Sequence, residues 1–411
     1  MTRKVSFAGA YGICSQGDDA ALIVMVEGLR RRIGAFDGVV ISRHAPDNSY
    51  GTYGLRSVQN IEYNNKSESI GKWFRGFNYD DDRSHLELLR EEIGSSDLLV
   101  LGAGNFLVDA TIDLLRGPIP YLMILTLMAK MSETPVMWFG LSIGPFRTDY
   151  GQRLSRLAAS LTDFITVRDD RSRIELQQFG FSGSFAQLPD PVLGLLPSHN
   201  RAIPANASWQ EAHGRSKMVI AVSVRNMSPD SVLETKQYVK DVASICDTLI
   251  SQHDVALLFV PHCSYQHGNR DEDDRNVAHW VVEQMRSPDN AIVATENLTI
   301  EQCLSLYSRA EVSLCTRLHA SVYSAIQGVP PVAIAYDPKV TGFMHWLGHN
   351  ELVVPLADFS PEKVMEKVEI ALSRRDEFSN AILDRVAAGR AEVDRYADIA
   401  CELIAKRGRL A

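Results

Sequence analysis

Several features of specialised protein classes are missing from this chain of 411 residues. Its six cysteines include no Cys-x-x-Cys pair and no cysteine–histidine cluster with zinc-ligand spacing, which argues against a zinc domain. Gly/Ser tracts, Pro-rich runs and blocks of like charge are also missing, so nothing predicts a disordered segment. The formal net charge is −9, and this deficit of positive charge argues against nucleic acid as a partner.

Long hydrophobic runs are missing as well. The longest covers residues 119–129, whereas a membrane-spanning helix needs about 20 apolar residues. We therefore predict a buried helix there. The first residues lead into a predicted strand without a charged and then apolar leader, so no signal peptide is expected. Together with cysteines that are predicted to be free thiols, these features predict a cytoplasmic protein.

What the chain does have is a regular alternation of short β-rich runs and longer amphipathic stretches. The predicted strands cover residues 5–10, 39–42, 98–102, 136–141, 164–167, 218–224, 255–260, 291–294, 312–315 and 332–335. The predicted helices between them cover residues 19–32, 150–161, 231–252, 277–286 and 300–308. This alternation is typical of parallel sheets with helices on both faces.

The alternation pauses at residues 190–216, which are rich in Pro, Gly, Asn and Ser and predict an interdomain connection. We therefore expect an α/β fold with two Rossmann-like domains, at residues 1–195 and 205–360. A C-terminal helical segment is predicted at residues 361–411. The expected architecture is GT-B-like, with the two domains facing a cleft that binds a small anionic substrate.

Glycines and charged side chains collect where the predicted strands end, which is where open α/β sheets bind ligands. In the first half these residues are Gly12, Gly17, Asp18, Gly104, Asn105 and Arg168. In the second half they are Arg225, His262, Arg317, His319 and Lys339. An acidic chain must gather its cations locally to bind an anion. The basic residues therefore predict a site for a ligand that carries phosphate and carboxylate groups.

Structural explanations for the first-half residues stay open. The glycines after the first strand do not match G-x-G-x-x-G, so this turn can be only a tight connection. Arg168 can form a local ion pair with Asp169. Asp18 can cap the helix that follows it.

The second half is open to the same kind of explanation. Arg225 can be solvated. His262 and His267 lie among acidic residues, but their spacing fits no standard ligand pattern and no metal is predicted. The pair Arg317-x-His319, between a buried strand and an apolar helix, favours a functional role.

A series of short motifs follows in a fixed order. They are Gly9…Gly12…Gly17-Asp18, Gly102-Ala103-Gly104 with Asp109, Gly144-Pro145, Val167-Arg168-Asp169 with Ser172, Asp190-Pro191, Arg317-Leu318-His319-Ala320, Gly328-Val329-Pro330 and Tyr336-Asp337-Pro338-Lys339. In this order the chain resembles the polysaccharide pyruvyl transferases, from the first strand to Gly348. Ser15 stands where the family usually has Asn, and Ala103 where three glycines are common.

The resemblance implies a GT-B-like enzyme that moves the pyruvyl unit of phosphoenolpyruvate onto two hydroxyls of a sugar. The product is a cyclic ketal, phosphate is released, and no cofactor or metal is required. Arg168 and Lys339 are implied donor-binding residues, and Arg225 is a weaker candidate. His319 is the expected general acid/base, with Arg317 beside it.

The resemblance also suggests which domain holds each substrate. The second domain is the expected donor side and the first the acceptor side. The expected acceptor-binding residues are Gly12, Gly17, Asp18, Gly104 and Asn105. A lipid-linked glycan acceptor would place the protein near the inner face of the membrane. Whether the chain forms a homo-oligomer stays open.

Two other functions compete with this one. The first is a GT-B glycosyltransferase with a nucleotide-sugar donor, although residues 311–339 offer mostly cations. The second is a non-catalytic glycan-binding relative, which the presence of Arg317, His319 and Lys339 argues against.

Overall fold

A computed structural model describes residues 2–44, 50–64, 66–109, 116–197, 218–227, 231, 233–264 and 272–408. The chain divides into two compact units, which are treated separately below. Unit 1 contains Met1–Gly194 and Ala391–Ala411, and unit 2 contains Leu195–Arg390. Most of the predicted connection, from residue 198 onward, and His267 lie outside the described residues.

Unit 1 is built on a parallel sheet of seven described strands. They are β1 Lys4–Ala8, β2 Asp37–Ser42, β3 Leu55–Gln59, β4 Leu98–Leu107, β5 Val136–Ile143, β6 Phe164–Val167 and β7 Phe185–Gln187. Their order is β3-β2-β1-β4-β5-β6-β7. Every residue of β5 is buried, as expected for a strand covered on both faces.

The helices of unit 1 lie in the connections between these strands. They are α1 Gln16–Ile33, α2 Lys66–Ser69, α3 Ser84–Gly94, α4 Pro118–Met131, α5 Asp149–Ser160 and α6 Asp170–Gln178. In α4, Ile119, Leu122 and Leu125 belong to the hydrophobic core. The prediction of a buried helix at residues 119–129 is therefore confirmed.

Unit 2 repeats the pattern with a parallel sheet of six described strands. They are β8 Met218–Ser223, β9 Val255–Phe259, β10 Ala291–Val293, β11 Val312–Cys315, β12 Pro331–Ala335 and β13 Val353–Pro355. Their order is β10-β9-β8-β11-β12-β13. The helices are α7 Thr235–Gln252, α8 Asp274–Gln284, α9 Ile300–Tyr307, α10 Leu318–Ile326, α11 Pro338–Leu347 and α12 Pro361–Ser373.

The last helix, α13 Arg375–Arg407, contributes to both units. Within unit 2, the guanidinium of Arg385 stacks on the ring of Trp346, 4.5 Å from its centroid. Within unit 1, Asp398 accepts a hydrogen bond from Arg32 at 2.6 Å, and Tyr396 donates one to the Pro189 carbonyl at 2.9 Å. The helical tail is therefore part of the two units and not a third body.

These elements confirm the predicted fold class: two parallel-sheet α/β units of Rossmann-like type and a helical C-terminal tail. Of the helices in the described ranges, none has both the length and the hydrophobicity needed to span a membrane.

Each sheet has one switch point among its described strands, where the chain stops adding strands on one side of the first strand and begins to add them on the other. It falls between β1 and β4 in unit 1 and between β8 and β11 in unit 2. Crevices at such points, outside the carboxyl ends of the strands, are where open α/β sheets bind ligands.

Candidate functional site

The switch point of unit 2 carries two predicted arginines at the same level. Ser223 of β8 pairs with Cys315 of β11. Arg225 and Arg317 each follow two residues later, so both leave the sheet at its carboxyl edge. His319 lies in the first turn of α10 and is half-buried. The register of two neighbouring strands thus places Arg225 and Arg317 together.

Tyr336 lies at the centre of this cationic edge. The guanidinium of Arg225 stacks 4.1 Å from the centroid of its ring, and the ammonium of Lys339 lies 5.4 Å from the same centroid. Burial raises the pKa of the Tyr336 phenol, but the charges of Lys339, Arg225 and Arg317 outweigh burial and lower it to about 8. Three of the predicted cations therefore act on one side chain, and Arg225 is stacked and not merely solvated.

Arg317 is held in place by a buried carboxylate. Its Nη2 lies 2.5 Å from Oδ1 of Asp274, and its Nε donates to both carboxylate oxygens. Asp274 is 1% exposed and also accepts the backbone N–H groups of His262 and Cys263. This pair fixes the guanidinium at the sheet edge. Sequence reasoning missed this pairing, because Asp274 precedes Arg317 by 43 residues.

His262 is a second histidine beside the predicted site. Its pKa lies well below the ordinary value, first because of burial and then because of His319 and Arg317. Its Nε2 lies 2.7 Å from the hydroxyl of Tyr307. Burial therefore keeps this imidazole neutral next to His319. The described residues contain no cluster of His, Cys, Asp or Glu that could hold a metal ion.

Lys339 is positioned by the start of α11. The side chain of Asp337 caps this helix by accepting the backbone N–H of Lys339 at 3.0 Å. The Lys339 ammonium lies 3.8 Å from the other carboxylate oxygen of Asp337. The cap thus fixes both the backbone and the charge of Lys339 beside Tyr336.

The corresponding edge of unit 1 is acidic and aromatic. The hydroxyl of Tyr50 donates to Asp19 at 2.6 Å and accepts the N–H of Gly12 at 2.8 Å. Burial, with a smaller contribution from Asp18, raises the pKa of Asp19 to about 7, although the hydrogen bond from Tyr50 opposes this. Sequence reasoning did not select Asp19, because its burial in the first turn of α1 depends on residues that pack around it in the folded chain.

Asp18 and its glycine neighbours lie at the same edge. Asp18 is in the first turn of α1 and accepts the hydroxyl proton of Ser15, the N-cap position, at 2.6 Å. Gly17 is buried in that turn. Gly12 has a φ of +80°, and a Cβ there would lie 2.2 Å from the Ser42 hydroxyl, so only glycine fits.

Two further predicted acceptor residues lie on β4, across the switch point from β1. Gly104 pairs with Leu141 of β5. Asn105 is half-buried, and its side-chain Oδ1 accepts no hydrogen bond from the residues that the structure describes. The hydroxyl of Tyr11 donates to the carbonyl of Gly102 on the same strand.

Arg168 belongs to unit 1, whereas His319 and Lys339 belong to unit 2. Its partner is Asp190, 3.0 Å away, and both side chains are 5% exposed. Asp169 instead caps α6 by accepting the N–H of Ser172. That Arg168 converges with the cations of unit 2 on one ligand stays a prediction.

Asp109, a member of the motif series, has a structural role. Its carboxylate accepts the backbone N–H groups of Arg147 and Thr148 and the hydroxyl of Thr148. Burial raises its pKa, but these hydrogen bonds prevail and lower it. Thr148 is the N-cap of α5, so this carboxylate fixes the start of a helix.

The fold and the two sheet edges define a two-domain α/β protein of the GT-B class. A family model for polysaccharide pyruvyl transferase matches residues 17–338, and the chain belongs to this family. The amylovoran biosynthesis protein AmsJ of Erwinia amylovora is 24% identical over 319 residues, which cover 74% of this chain and 72% of AmsJ. Membership of the family supports a role in glycan modification.

Solved structures with the same fold come from different enzymes. UDP-GlcNAc 2-epimerase from Methanocaldococcus jannaschii has a TM-score of 0.58 at 11% identity, covering 90% of this chain and 92% of that chain. UDP-GlcNAc 2-epimerase from Neisseria meningitidis bound to UDP-GlcNAc has a TM-score of 0.58 at 10% identity, covering 98% of this chain and 100% of that chain. The α,α-trehalose 6-phosphate synthase from Burkholderia multivorans has a TM-score of 0.56 at 14% identity, covering 100% of this chain and 98% of that chain. At these identities the likeness concerns the fold alone.

Proposed function

We propose that this chain transfers the pyruvyl unit of phosphoenolpyruvate to hydroxyls of a sugar or glycan, forming a ketal and releasing phosphate. The observation that carries the proposal is the cluster of Arg225, Arg317 and Lys339 around Tyr336 at the switch point of unit 2. His319 follows Arg317 by two residues. Family membership supports the same reaction class.

The cationic edge suits a small ligand with two kinds of anionic group. Phosphoenolpyruvate carries a phosphate and a carboxylate close together. Arginine binds either group through two hydrogen bonds, and lysine contributes a compact point charge. Arg225 and Lys339 are the proposed donor-binding residues of unit 2, and Arg317 is held beside them by Asp274. Arg168 is proposed as a further donor contact from unit 1.

His319 is the proposed general acid and base. As an imidazolium it gives its proton to the methylene carbon of phosphoenolpyruvate, which leaves a cationic carbon next to the carboxylate. A sugar hydroxyl forms a bond to that carbon, phosphate departs, and a second hydroxyl closes the ring. The neutral imidazole takes a proton back from a hydroxyl. Cations at this edge stabilise the charge on the departing phosphate.

The proposed acceptor side is the edge of unit 1. Gly12 and Gly17 allow close approach to the backbone, and Asp18 offers a carboxylate to a hydroxyl. Gly104 lies on the neighbouring strand, and Asn105 offers a buried side-chain oxygen that accepts no hydrogen bond from the described residues. Neutral sugars are recognised through such hydrogen bonds. This edge therefore suits an uncharged polyol better than an anion.

Phosphate release tests the proposal directly. The full chain is incubated with phosphoenolpyruvate and a panel of glycans, some free and some lipid-linked, and released phosphate is measured together with the mass of the glycan. We expect phosphate release that depends on one acceptor class and a pyruvylated product. No release with any acceptor, although phosphoenolpyruvate binds, would contradict the transfer reaction and favour a glycan-binding relative.

Thermal-shift titration separates this proposal from a nucleotide-sugar glycosyltransferase. A ligand that binds only the folded chain raises its Tm in proportion to the logarithm of its concentration. We expect a shift with phosphoenolpyruvate and none with nucleotide sugars at the same concentration. The opposite result would support the glycosyltransferase.

A further inference from the structure

Tyr336 has no role in the reaction as described so far, yet it lies at the centre of the cationic edge. It connects the end of β12 to the start of α11, and its ring lies beneath the guanidinium of Arg225 and the ammonium of Lys339. Its side chain is only partly exposed. An anion bound by these two cations would therefore lie near this tyrosine.

The charges around Tyr336 come from three parts of the fold. Lys339 belongs to α11, Arg225 follows β8, and Arg317 follows β11. Asp337 is the opposing charge, and its carboxylate caps the helix that carries Lys339. With three cations against this carboxylate, ionisation of the phenol is easier than in water, and its pKa falls to about 8 although burial opposes this.

Tyr63 of unit 1 shows that two flanking cations are not sufficient. Lys72 and Arg75 lie 5.5 and 5.4 Å from the centroid of its ring. Burial and Asp81 nevertheless raise its pKa above the ordinary value. The pKa of Tyr336 moves the other way, to about 8, because a third cation acts on it and no carboxylate accepts its hydroxyl proton among the described residues.

The proposed reaction needs more proton transfer than His319 provides. His319 gives one proton to the methylene carbon and can take one back. Two acceptor hydroxyls each lose a proton, so a second proton has to be carried from the acceptor to the phosphate.

On the basis of the proposed function, we propose that the Tyr336 hydroxyl is the second proton-transferring group. As the first acceptor hydroxyl forms its bond to the cationic carbon, its proton passes to the ionised oxygen of Tyr336. The bond between that carbon and the phosphate oxygen then breaks, its electron pair stays on the phosphate, and the phosphate takes the proton from Tyr336. The second hydroxyl attacks and returns its proton to His319. The proton of the first hydroxyl thus ends on the phosphate. The proton of the second hydroxyl restores the one that His319 gave to the methylene carbon.

Tyr336→Phe in the full chain tests this role, because it keeps the ring beneath Arg225 and Lys339 and removes only the hydroxyl. We expect kcat to fall by about 10²-fold or more, with a small change in the KM for phosphoenolpyruvate. The rise of kcat/KM with pH near 8 should disappear. Tyr63→Phe is the matched control, since it removes the hydroxyl of another cation-flanked tyrosine in unit 1, and it should leave both parameters unchanged.

A second readout does not depend on activity. Ultraviolet absorbance of tyrosinate, followed against pH without substrate, should show one tyrosine that ionises before the others. That step should be absent in Tyr336→Phe and present in Tyr63→Phe. Its absence from the wild type, or its persistence in Tyr336→Phe, would overturn the proposal.

The outcomes separate this inference from the proposed function. A wild-type chain that releases phosphate, with a Tyr336→Phe variant of equal kcat and pH profile, overturns the proton relay alone. A wild-type chain that releases no phosphate with any acceptor overturns the transfer reaction and the relay with it.

Discussion

The two sheet edges have the same topology and opposite chemistry. Each lies at the switch point of a parallel sheet. The edge of unit 1 gathers Asp18 and Asp19 beside buried tyrosines, whereas the edge of unit 2 gathers Arg225, Arg317 and Lys339. One fold thus supports an acidic and a cationic sheet edge in the same chain, because the residues after the strands define the chemistry and the strands only position them.

The pKa values of the tyrosines at the two sheet edges show this difference in charge. At the edge of unit 1, burial and then the carboxylates Asp18 and Asp19 raise the pKa of Tyr11, and burial and then Asp19 raise that of Tyr50. At the edge of unit 2, the cations outweigh burial and lower the pKa of Tyr336 to about 8. The same side chain is thereby held as a hydrogen-bonding phenol in one unit and close to ionisation in the other.

The largest effect is expected from His319→Ala at the cationic edge. Loss of the proposed general acid should lower kcat for phosphate release by about 10²- to 10⁴-fold while circular dichroism stays unchanged. His279→Ala, an exposed histidine on α8, is the control and should retain full activity. Near-normal turnover by His319→Ala would remove this histidine from the chemistry.

The next largest effect concerns the carboxylate buried beneath the cationic edge. Asp274→Ala leaves the guanidinium of Arg317 without its partner and two backbone N–H groups without an acceptor. We expect a loss of about 3–5 kcal/mol in the free energy of unfolding, measured by denaturant titration. The exposed pair of Arg153 and Asp149 provides the control, since Asp149→Ala should cost below about 1 kcal/mol. Equal stability of the two variants would show that the ion pair of Asp274 with Arg317 does not stabilise the fold.

A smaller effect is expected for binding of the donor. Lys339→Ala should raise the KM for phosphoenolpyruvate by about 10- to 100-fold, as the loss of one hydrogen bond to a charged group implies, with a smaller change in kcat. Lys72→Ala removes another lysine that lies over a tyrosine ring, in unit 1, and should leave the KM unchanged. An unaltered KM in Lys339→Ala would exclude Lys339 from donor binding.

The smallest effect concerns the acidic edge and its dependence on pH. The pKa of Asp19 is raised from 3.8 to about 7, so the folded chain favours the protonated carboxyl. This contribution is present below the ordinary pKa and is lost as pH rises through 7. Asp19→Asn cannot ionise, so its Tm relative to the wild type should rise by a few degrees between about pH 5 and pH 8.

Asp82→Asn is the control for that measurement. The pKa of Asp82 is lowered, first by the backbone and then by the side-chain hydrogen bond of Ser84. Its contribution is therefore lost only at acidic pH, and its Tm difference should stay constant over the same interval. A constant difference for Asp19→Asn as well would show that Asp19 is ionised throughout.

Most of the fold was predictable because buried parallel strands read as continuous apolar runs. Ten such runs were predicted, and all ten overlap described strands. The strands β3, β7 and β13, which were not predicted, each lie at a sheet edge. Leu55–Gln59 and Phe185–Gln187 contain exposed or half-buried residues and carry little hydrophobic signal. Strands of this kind depend on pairing with a neighbour more than on their own residues.

The sequence by itself determined which residues end the strands and, through them, the sign of the charge at each sheet edge. Those residues follow apolar runs that are buried in the folded chain, and their positions can be identified from the sequence alone. Only the tertiary structure decided that Arg317 pairs with Asp274, that Arg225 stacks on Tyr336, and that Asp19 is enclosed. Burial and Coulomb interactions depend on distances in space, and residues far apart in the chain are brought within those distances only by the packing of the sheet and its helices.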